Sequence, residues 1–199
     1  MAKLKRSALL HYLKNPNTTG VPSLDDHYLI GKDVEDASVE LNPDTESIKN
    51  ILDEVSVNDK GYEPSMSVET YYANPEDGWI YEWLKNIALN RLTGEACMTK
   101  YVEVIVDKTP DEAEGSYDAW QEDVIVKAQS YGGPQGGITI PFNIAFCGNR
   151  VQGKASLNGK QLATFSTTSS VSAASLSEEA PVVNAKASAT KVNDTKSDK

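Results

Sequence analysis

Two cysteines and two histidines among 199 residues leave little material for soft-metal or thiol chemistry. His11 and His27 lie outside any metal-ligand spacing and read as solvated side chains. Cys97 and Cys147, far apart in sequence, read as two buried thiols of a reduced compartment rather than as a disulfide. Long apolar runs are missing as well. Ser7–Leu13 is too short, and with His11 too polar, for a secretory core, and no stretch approaches the length needed to span a bilayer. A soluble chain made and kept in cytosol, with no membrane partner, is the expectation.

Catalytic patterns are absent too. There is no Gly-x-Ser-x-Gly and no recognisable Cys/His arrangement. The glycines of Gly132–Gly137 lack the Lys-Ser/Thr of a phosphate-binding loop and stand between two expected strands, and Gly31-Lys32-Asp33 lacks both the upstream glycine and the hydroxyl. The acidic pairs Asp25/Asp26, Asp111/Glu112 and Glu122/Asp123 raise a metal-dependent hydrolase as an alternative. Neighbours on a strand point to opposite faces, however, and neighbours in loops are usually solvated. No catalytic, cofactor or metal residue is assigned, and the chain is not expected to be an enzyme.

Positive charge is scarce where most of the chain lies. The formal charge is −10, yet Met1–Lys14 carries Lys3, Lys5, Arg6 and Lys14 with no acid, and residues 151–199 carry six lysines against four acids. The middle is therefore near −16. Such a body repels phosphate, which argues against ordinary nucleic-acid binding and suits a surface that DNA passes without sticking.

One long helical signal is present, within Ala73–Gly94. Asn74 and Pro75 suit a helix start, Glu76 and Asp77 favour its positive end, and Gly94 suits a left-handed stop. Trp79, Ile80, Trp83, Leu84, Ile87, Ala88 and Leu92 recur at three-to-four spacing, which predicts an amphipathic helix over about 75–93. Trp79, Trp83, Leu84 and Ile87 are its core residues. Trp79 and Trp83 would alternatively wall the pocket of a small-ligand-binding β-barrel.

The rest alternates with the period of strands. Leu29-Ile30-Gly31 opens a short one, and Ala37–Leu41 is half-buried and ends at Asn42-Pro43-Asp44. Glu46–Leu52 fits either a helical turn or one arm of a hairpin with Val55-Ser56-Val57. Asn58-Asp59-Lys60-Gly61 reads as a turn. Ser65–Tyr71, Tyr101–Val106, Ala119–Ser130 and Ile138–Cys147 follow as strands, the last interrupted by Pro141 and so placed at an edge or bulged. Asn158-Gly159 joins a final hairpin, Val151–Leu157 with Gln161–Phe165. No aromatic residue follows Phe165, and the polar composition predicts a disordered tail. The expected organisation is a basic arm and loop over 1–28, a β domain over 29–166 and a low-complexity tail over 167–199. The fold class is mainly β: a sandwich or partly rolled barrel of six to eight strands with one flanking helix.

Four phrases carry a resemblance. Lys32-Asp33-Val34-Glu35-Asp36 leads to Val39-Glu40-Leu41-Asn42-Pro43-Asp44-Thr45-Glu46. Asn50-Ile51-Leu52 is followed by Val57-Asn58-Asp59-Lys60-Gly61-Tyr62-Glu63-Pro64-Ser65. Tyr71-Tyr72-Ala73-Asn74-Pro75-Glu76-Asp77 enters the helix. Gln129-Ser130-Tyr131-Gly132-Gly133 continues through Pro141-Phe142 to Cys147-Gly148-Asn149-Arg150. In this order they resemble the major tail proteins, or tail tube proteins, of long non-contractile-tailed phages of Gram-positive bacteria, over Leu29 to Arg150. The chain departs from the relatives that carry a C-terminal immunoglobulin-like domain, since it has only the polar tail. The resemblance implies a β-sandwich with a flanking helix. It also implies a homohexameric ring that stacks into a hollow tube, encloses a tape-measure protein, meets tail-end proteins and conducts the genome during ejection. The protein would then reside in the virion tail after assembly in the host cytoplasm. The resemblance makes Ile48–Tyr62 the candidate for contact between stacked rings, with Ile48, Ile51, Leu52, Val55, Asp59 and Tyr62 as its residues.

Overall fold

Twelve residues, Tyr117–Ala128, form the strand on which the others are arranged. In this computed structural model residues 3–18, 24–32, 34, 37–107 and 116–167 are described. In chain order the strands are β1 (Leu9–Lys14), β2 (His27–Ile30), β3 (Val39–Glu40), β4 (Pro43–Lys49), β5 (Val55–Tyr62), β6 (Ser65–Val68), β7 (Met98–Ile105), β8 (Tyr117–Ala128), β9 (Phe142–Phe146), β10 (Val151–Asn158) and β11 (Gln161–Thr167). One helix, α1 (Trp79–Asn90), stands between β6 and β7.

All pairings are antiparallel. Strand β8 meets β7 along Asp118–Ile125 on one edge. Its other edge is divided: Tyr117–Gln121 pairs with β10, and Val124–Ala128 pairs with β9. From β8 the sheet therefore continues two ways. One path runs β2-β1-β7-β8-β9-β6-β3, a curled half-barrel of seven strands, and the branch adds β10 and β11. The chain passes from one branch to the other at Cys147–Arg150, where Cys147 N donates to Asp123 O (2.8 Å) and Asn149 Nδ2 to Asp123 Oδ2 (3.3 Å). The mainly β class with one flanking helix is thus what the structure shows. β4 and β5 form a separate two-stranded sheet.

Because side chains alternate across a strand, β1, β7 and β8 serve two cores. On one face Leu13, Tyr101, Val124 and Val126 join Met66, Val68, Phe142 and Ile144 under α1. On the other, Leu10, Tyr12, Val102, Val104 and Ala119 join Ala155 and Leu162 of the branch. The two faces explain a departure from the expected arm and loop over 1–28. β1 is buried on both sides, so Leu9-Leu10-His11-Tyr12-Leu13 shows no alternation, and its basic flanks disguise a central strand. The expected polar tail lies outside the described residues apart from Thr167.

The helix is shorter than 75–93. Pro75–Asp77 is a 3-10 turn in which Asn74 Oδ1 accepts from Glu76 N (3.0 Å), and Gly78 at φ 68° breaks it from α1. The left-handed stop is Arg91 (φ 52°), not Gly94, and Leu92 N donates to Ile87 O (3.2 Å). That early stop lets the chain fold back so that Trp83 Nε1 donates to Ala96 O (3.0 Å). Ile80, Trp83, Leu84 and Ile87 are buried, with Trp79 packed at the margin.

Ile138–Cys147 is a strand only from Phe142, because Pro141 has no amide to give to the ladder, and that strand is internal, between β8 and β6. In the β10–β11 hairpin Gly159 (φ 63°) and Lys160 are the central pair, one residue later than expected. Cys97 is buried, but Cys147 is exposed; both are free thiols.

Where the sheet divides, a polar cluster bridges β7, β8 and the crossover. Arg150 meets Glu122 (3.2 Å) and Glu103 (2.9 Å), and its guanidinium lies 5.7 Å from the Trp120 ring centre. Removing it would strand the buried Glu122 carboxylate. Arg150→Met is expected to cost about 2 kcal/mol, below the ~3–5 kcal/mol of a fully buried pair, because the arginine side chain is 45% exposed and screened by water. Urea denaturation should show a lower midpoint with an unchanged slope; an unchanged midpoint would make the clamp energetically idle.

Next to this cluster His11 Nδ1 shares a hydrogen bond with the Tyr101 hydroxyl, while Nε2 has no hydrogen-bond partner among the described residues. Burial first, and then the Arg6 guanidinium, push His11 down to about 4 against the opposing pull of Glu103. The unfolded chain takes up this proton near pH 6.5 and the folded chain only near pH 4. Stability is therefore full above the unfolded value and is lost as pH falls between the two, by at most ~1.4 kcal/mol per pH unit. His27, lowered by burial and Lys14, adds a loss of the same sign. Against the parent, His11→Gln should flatten the acid limb of a stability–pH curve between pH 6.5 and 4; parallel curves would rule His11 out.

Candidate interaction surface

β4 and β5 carry apolar side chains that the described residues leave uncovered. Ile48, Val55, Val57 and Tyr62 are all at least half exposed, Leu52 is 73% exposed and Ile51 fully so. Every residue of β4 is exposed. A lone two-stranded ribbon is marginal in water, and clustered exposed apolar side chains mark a place where something else docks.

The ribbon is nevertheless built with care at both ends. At its tip Asn50 Oδ1 accepts from Leu52 N (2.9 Å) and Glu54 N (3.0 Å), and Asn50 N donates to Glu54 O (3.0 Å). Asp53 adopts a left-handed φ of 61°, and Lys49 Nζ reaches its carboxylate at 2.9 Å. These bonds hold Ile51 and Leu52 outward. At the base Asn42 Nδ2 donates to Glu63 O and to Ser65 Oγ (both 3.1 Å), which ties the ribbon to the start of β6.

Asn58-Asp59-Lys60-Gly61 is a bulge within β5, not a turn. Thr45 faces Asp59 and Asp44 faces Gly61, so Lys60 is the extra residue. Asp59 Oδ1 accepts from Gly61 N (2.9 Å), and Gly61 takes φ 91°. Lys60 Nζ lies 3.1 Å from Glu46 and 3.9 Å from Asp44. The same local chemistry, an Asx bond and a positive-φ glycine, serves turn and bulge alike. The ambiguity over Glu46–Leu52 resolves as a hairpin arm.

Ile48, Ile51, Leu52, Val55, Asp59 and Tyr62 therefore share one element, though not one face. Ile48 stands opposite Ser56 on one side, and Val55 and Asp59 stand on the other with Ser47 and Lys49. Ile51 and Leu52 occupy the tip, and Tyr62 pairs with Pro43 at the base. Val57, 68% exposed beside Val55, belongs with them and was detectable from the Val-Ser-Val alternation.

Trp83, Leu84 and Ile87 lie elsewhere, in the core, with Trp79 partly buried at its margin. A groove of about 430 Å³ does run past Trp79 and Trp83, but Asn17, Glu82, Lys85, Asn86 and Asn90 make most of its wall. That is not the apolar pocket a small-ligand barrel requires. Among the described residues no three His, Cys, Asp or Glu side chains are grouped to hold a metal ion, and no helix is long and apolar enough to cross a membrane.

No family model matches the chain, and no curated protein matches it in sequence. Solved structures similar to it include the SPP1 tail tube, determined by solid-state NMR and cryo-EM (13% identity, TM-score 0.47, 75% of this chain and 78% of that one). Another is the tail of an empty GTA particle refined with C6 symmetry (12%, TM-score 0.48, 74% and 97%). A third is the anti-feeding prophage cap that terminates its tube (13%, TM-score 0.45, 78% and 93%). Identities of 12–13% with TM-scores below one half leave function to be argued from the chain itself.

Proposed function

We propose that this chain is a structural subunit of a virion tail tube, assembling as stacked rings of six around a channel. The observation that carries the reading is the ribbon of β4 and β5, an ordered projection whose apolar side chains have no cover among the described residues. The resemblance of its phrases to tail tube proteins of long non-contractile-tailed phages supports the same conclusion. A projecting element that fits a different surface of the next copy generates rings and open-ended stacks rather than closed dimers. The acidic middle of the chain suits a channel through which DNA moves without capture. A tape-measure protein inside the tube and tail-end proteins at its termini are the further partners. The subunit assembles in the host cytoplasm, performs no catalysis, and contributes a wall for genome delivery.

Purified chain concentrated at moderate ionic strength should sediment as multimers and show rings or tubes with sixfold views by negative-stain microscopy. A monomer under all assembly conditions, with no incorporation into tails, would overturn the reading.

A further inference from the structure

We infer that the hairpin tip of one copy seats in a groove at the opposite end of a second copy, between the C-terminal end of α1 and the segment joining β8 to β9. The inference rests on the tube reading and names the surface that reading needs.

The groove, about 370 Å³, is formed by Ala88, Arg91, Ala128, Gln129, Ser130 and Tyr131. At this end of the sheet three large apolar residues are exposed: Tyr72 (50%), Tyr131 (59%) and Ile138 (61%). They come from separate segments and are brought together by backbone bonds. Ala73 N donates to Ile138 O (2.9 Å), and Gly132 and Thr139 exchange both of their amide bonds. A Cβ on Gly133 would lie 2.2 Å from Gly137 O, so only glycine allows the loop to close this tightly. The surface is thus formed before any partner arrives.

Its position follows from the register. β6 starts beside the hairpin base, where Ser65 pairs with Ala145, and ends with Val68 opposite Phe142. Phe142 also faces Ala128, the last residue of β8. Tyr72, Tyr131 and Ile138 therefore lie past the far end of the strand whose near end carries the hairpin. At ~3.3 Å per residue the separation from Ser65 to Tyr72 is roughly 20 Å. A projection at one end and a groove flanked by apolar side chains at the other are two different surfaces, and their pairing lets association continue from copy to copy.

Charge agrees. Residues 43–62 carry Asp44, Glu46, Asp53, Glu54 and Asp59 against Lys49 and Lys60. Arg91, exposed on the groove wall, has no ion pair among the described residues. A ribbon with an excess of acids, bearing Ile51 and Leu52 at its tip, matches a groove edged by that arginine and flanked by Tyr72, Tyr131 and Ile138.

The test uses the full chain with Cys147→Ser, which removes the exposed native thiol. Leu52→Cys combined with Ile138→Cys, oxidised mildly after assembly, should give a ladder of covalent multimers. Each single substitution should remain monomeric on a denaturing gel, and Leu52→Cys with Val151→Cys should give no ladder. In a second arm Arg91→Glu should weaken association about tenfold, and adding Glu54→Arg should restore it. Assemblies that form normally without the Leu52–Ile138 ladder, or that ladder equally through Val151, overturn the groove and leave the tube reading standing. Failure of the parent chain to assemble overturns both.

Discussion

With Ile51 and Leu52 both replaced by aspartate, the chain is expected to keep its fold and lose its assembly. The two side chains touch nothing that holds the subunit together: one is fully exposed, the other 73% exposed, and the tip is shaped by Asn50, Asp53 and Glu54. Surface substitutions of this kind change stability by about 0.5 kcal/mol or less. In a contact between copies the same two carboxylates would be stripped of water without a partner, at ~2–5 kcal/mol for each buried charge. Association should fall at least ~10³-fold, since each 1.4 kcal/mol is a factor of ten. Sedimentation velocity should therefore find monomers where the parent forms multimers, with matching melting curves. Multimers of parental size would remove the hairpin tip from the contact.

The second large effect is on the fold itself. Leu84 has no exposed surface and Trp83 is only 6% exposed, both within the core under α1. Leu84→Ala and Trp83→Ala should each cost roughly 3–5 kcal/mol through lost burial and a residual cavity. In a domain of this size that lowers the melting temperature by roughly 10 °C. Trp83→Phe separates packing from polarity. It keeps a ring in place but frees the Ala96 carbonyl from the indole N–H, for about 1–2 kcal/mol. Calorimetry that ranks Ala well below Phe, and Phe below the parent, fits this account. Equal losses for Ala and Phe would mean that the hydrogen bond, not the ring, holds α1. Any fall in self-association from these variants should recover on cooling, unlike that of the tip aspartates.

The elements legible in the sequence are those whose pattern is set by one face. α1 announced itself through Ile80, Trp83, Leu84 and Ile87, and the second half of β8 through the period-two burial of Val124 and Val126. β1 did not, because a strand buried on both sides has no period to detect. The bulge at Lys60 was read as a turn because the two share their local bonds. The hairpin residues were placed on one element by resemblance, but their exposure depended on which neighbours failed to cover them. Long-range assemblies were the least accessible: Glu103, Glu122 and Arg150 meet from three segments, as do Tyr72, Tyr131 and Ile138. Nothing in local spacing encodes those meetings; they follow from the register of β8 with its three neighbours.

The placement of β1 also bears on how the chain is made. Its central partner β7 lies some 90 residues downstream, as the bond between His11 and Tyr101 shows. At ribosomal speeds of ~5–20 residues per second, that interval is roughly 5–20 s. For that time Leu9-Leu10-His11-Tyr12-Leu13 waits as an apolar segment with its β7 edge unpaired, which is a hazard for association between nascent chains. The lysines and arginine at positions 3, 5, 6 and 14 flank it with like charge, which keeps waiting chains apart until the sheet can take them in. β1 is thus made well before the strand that covers its second edge.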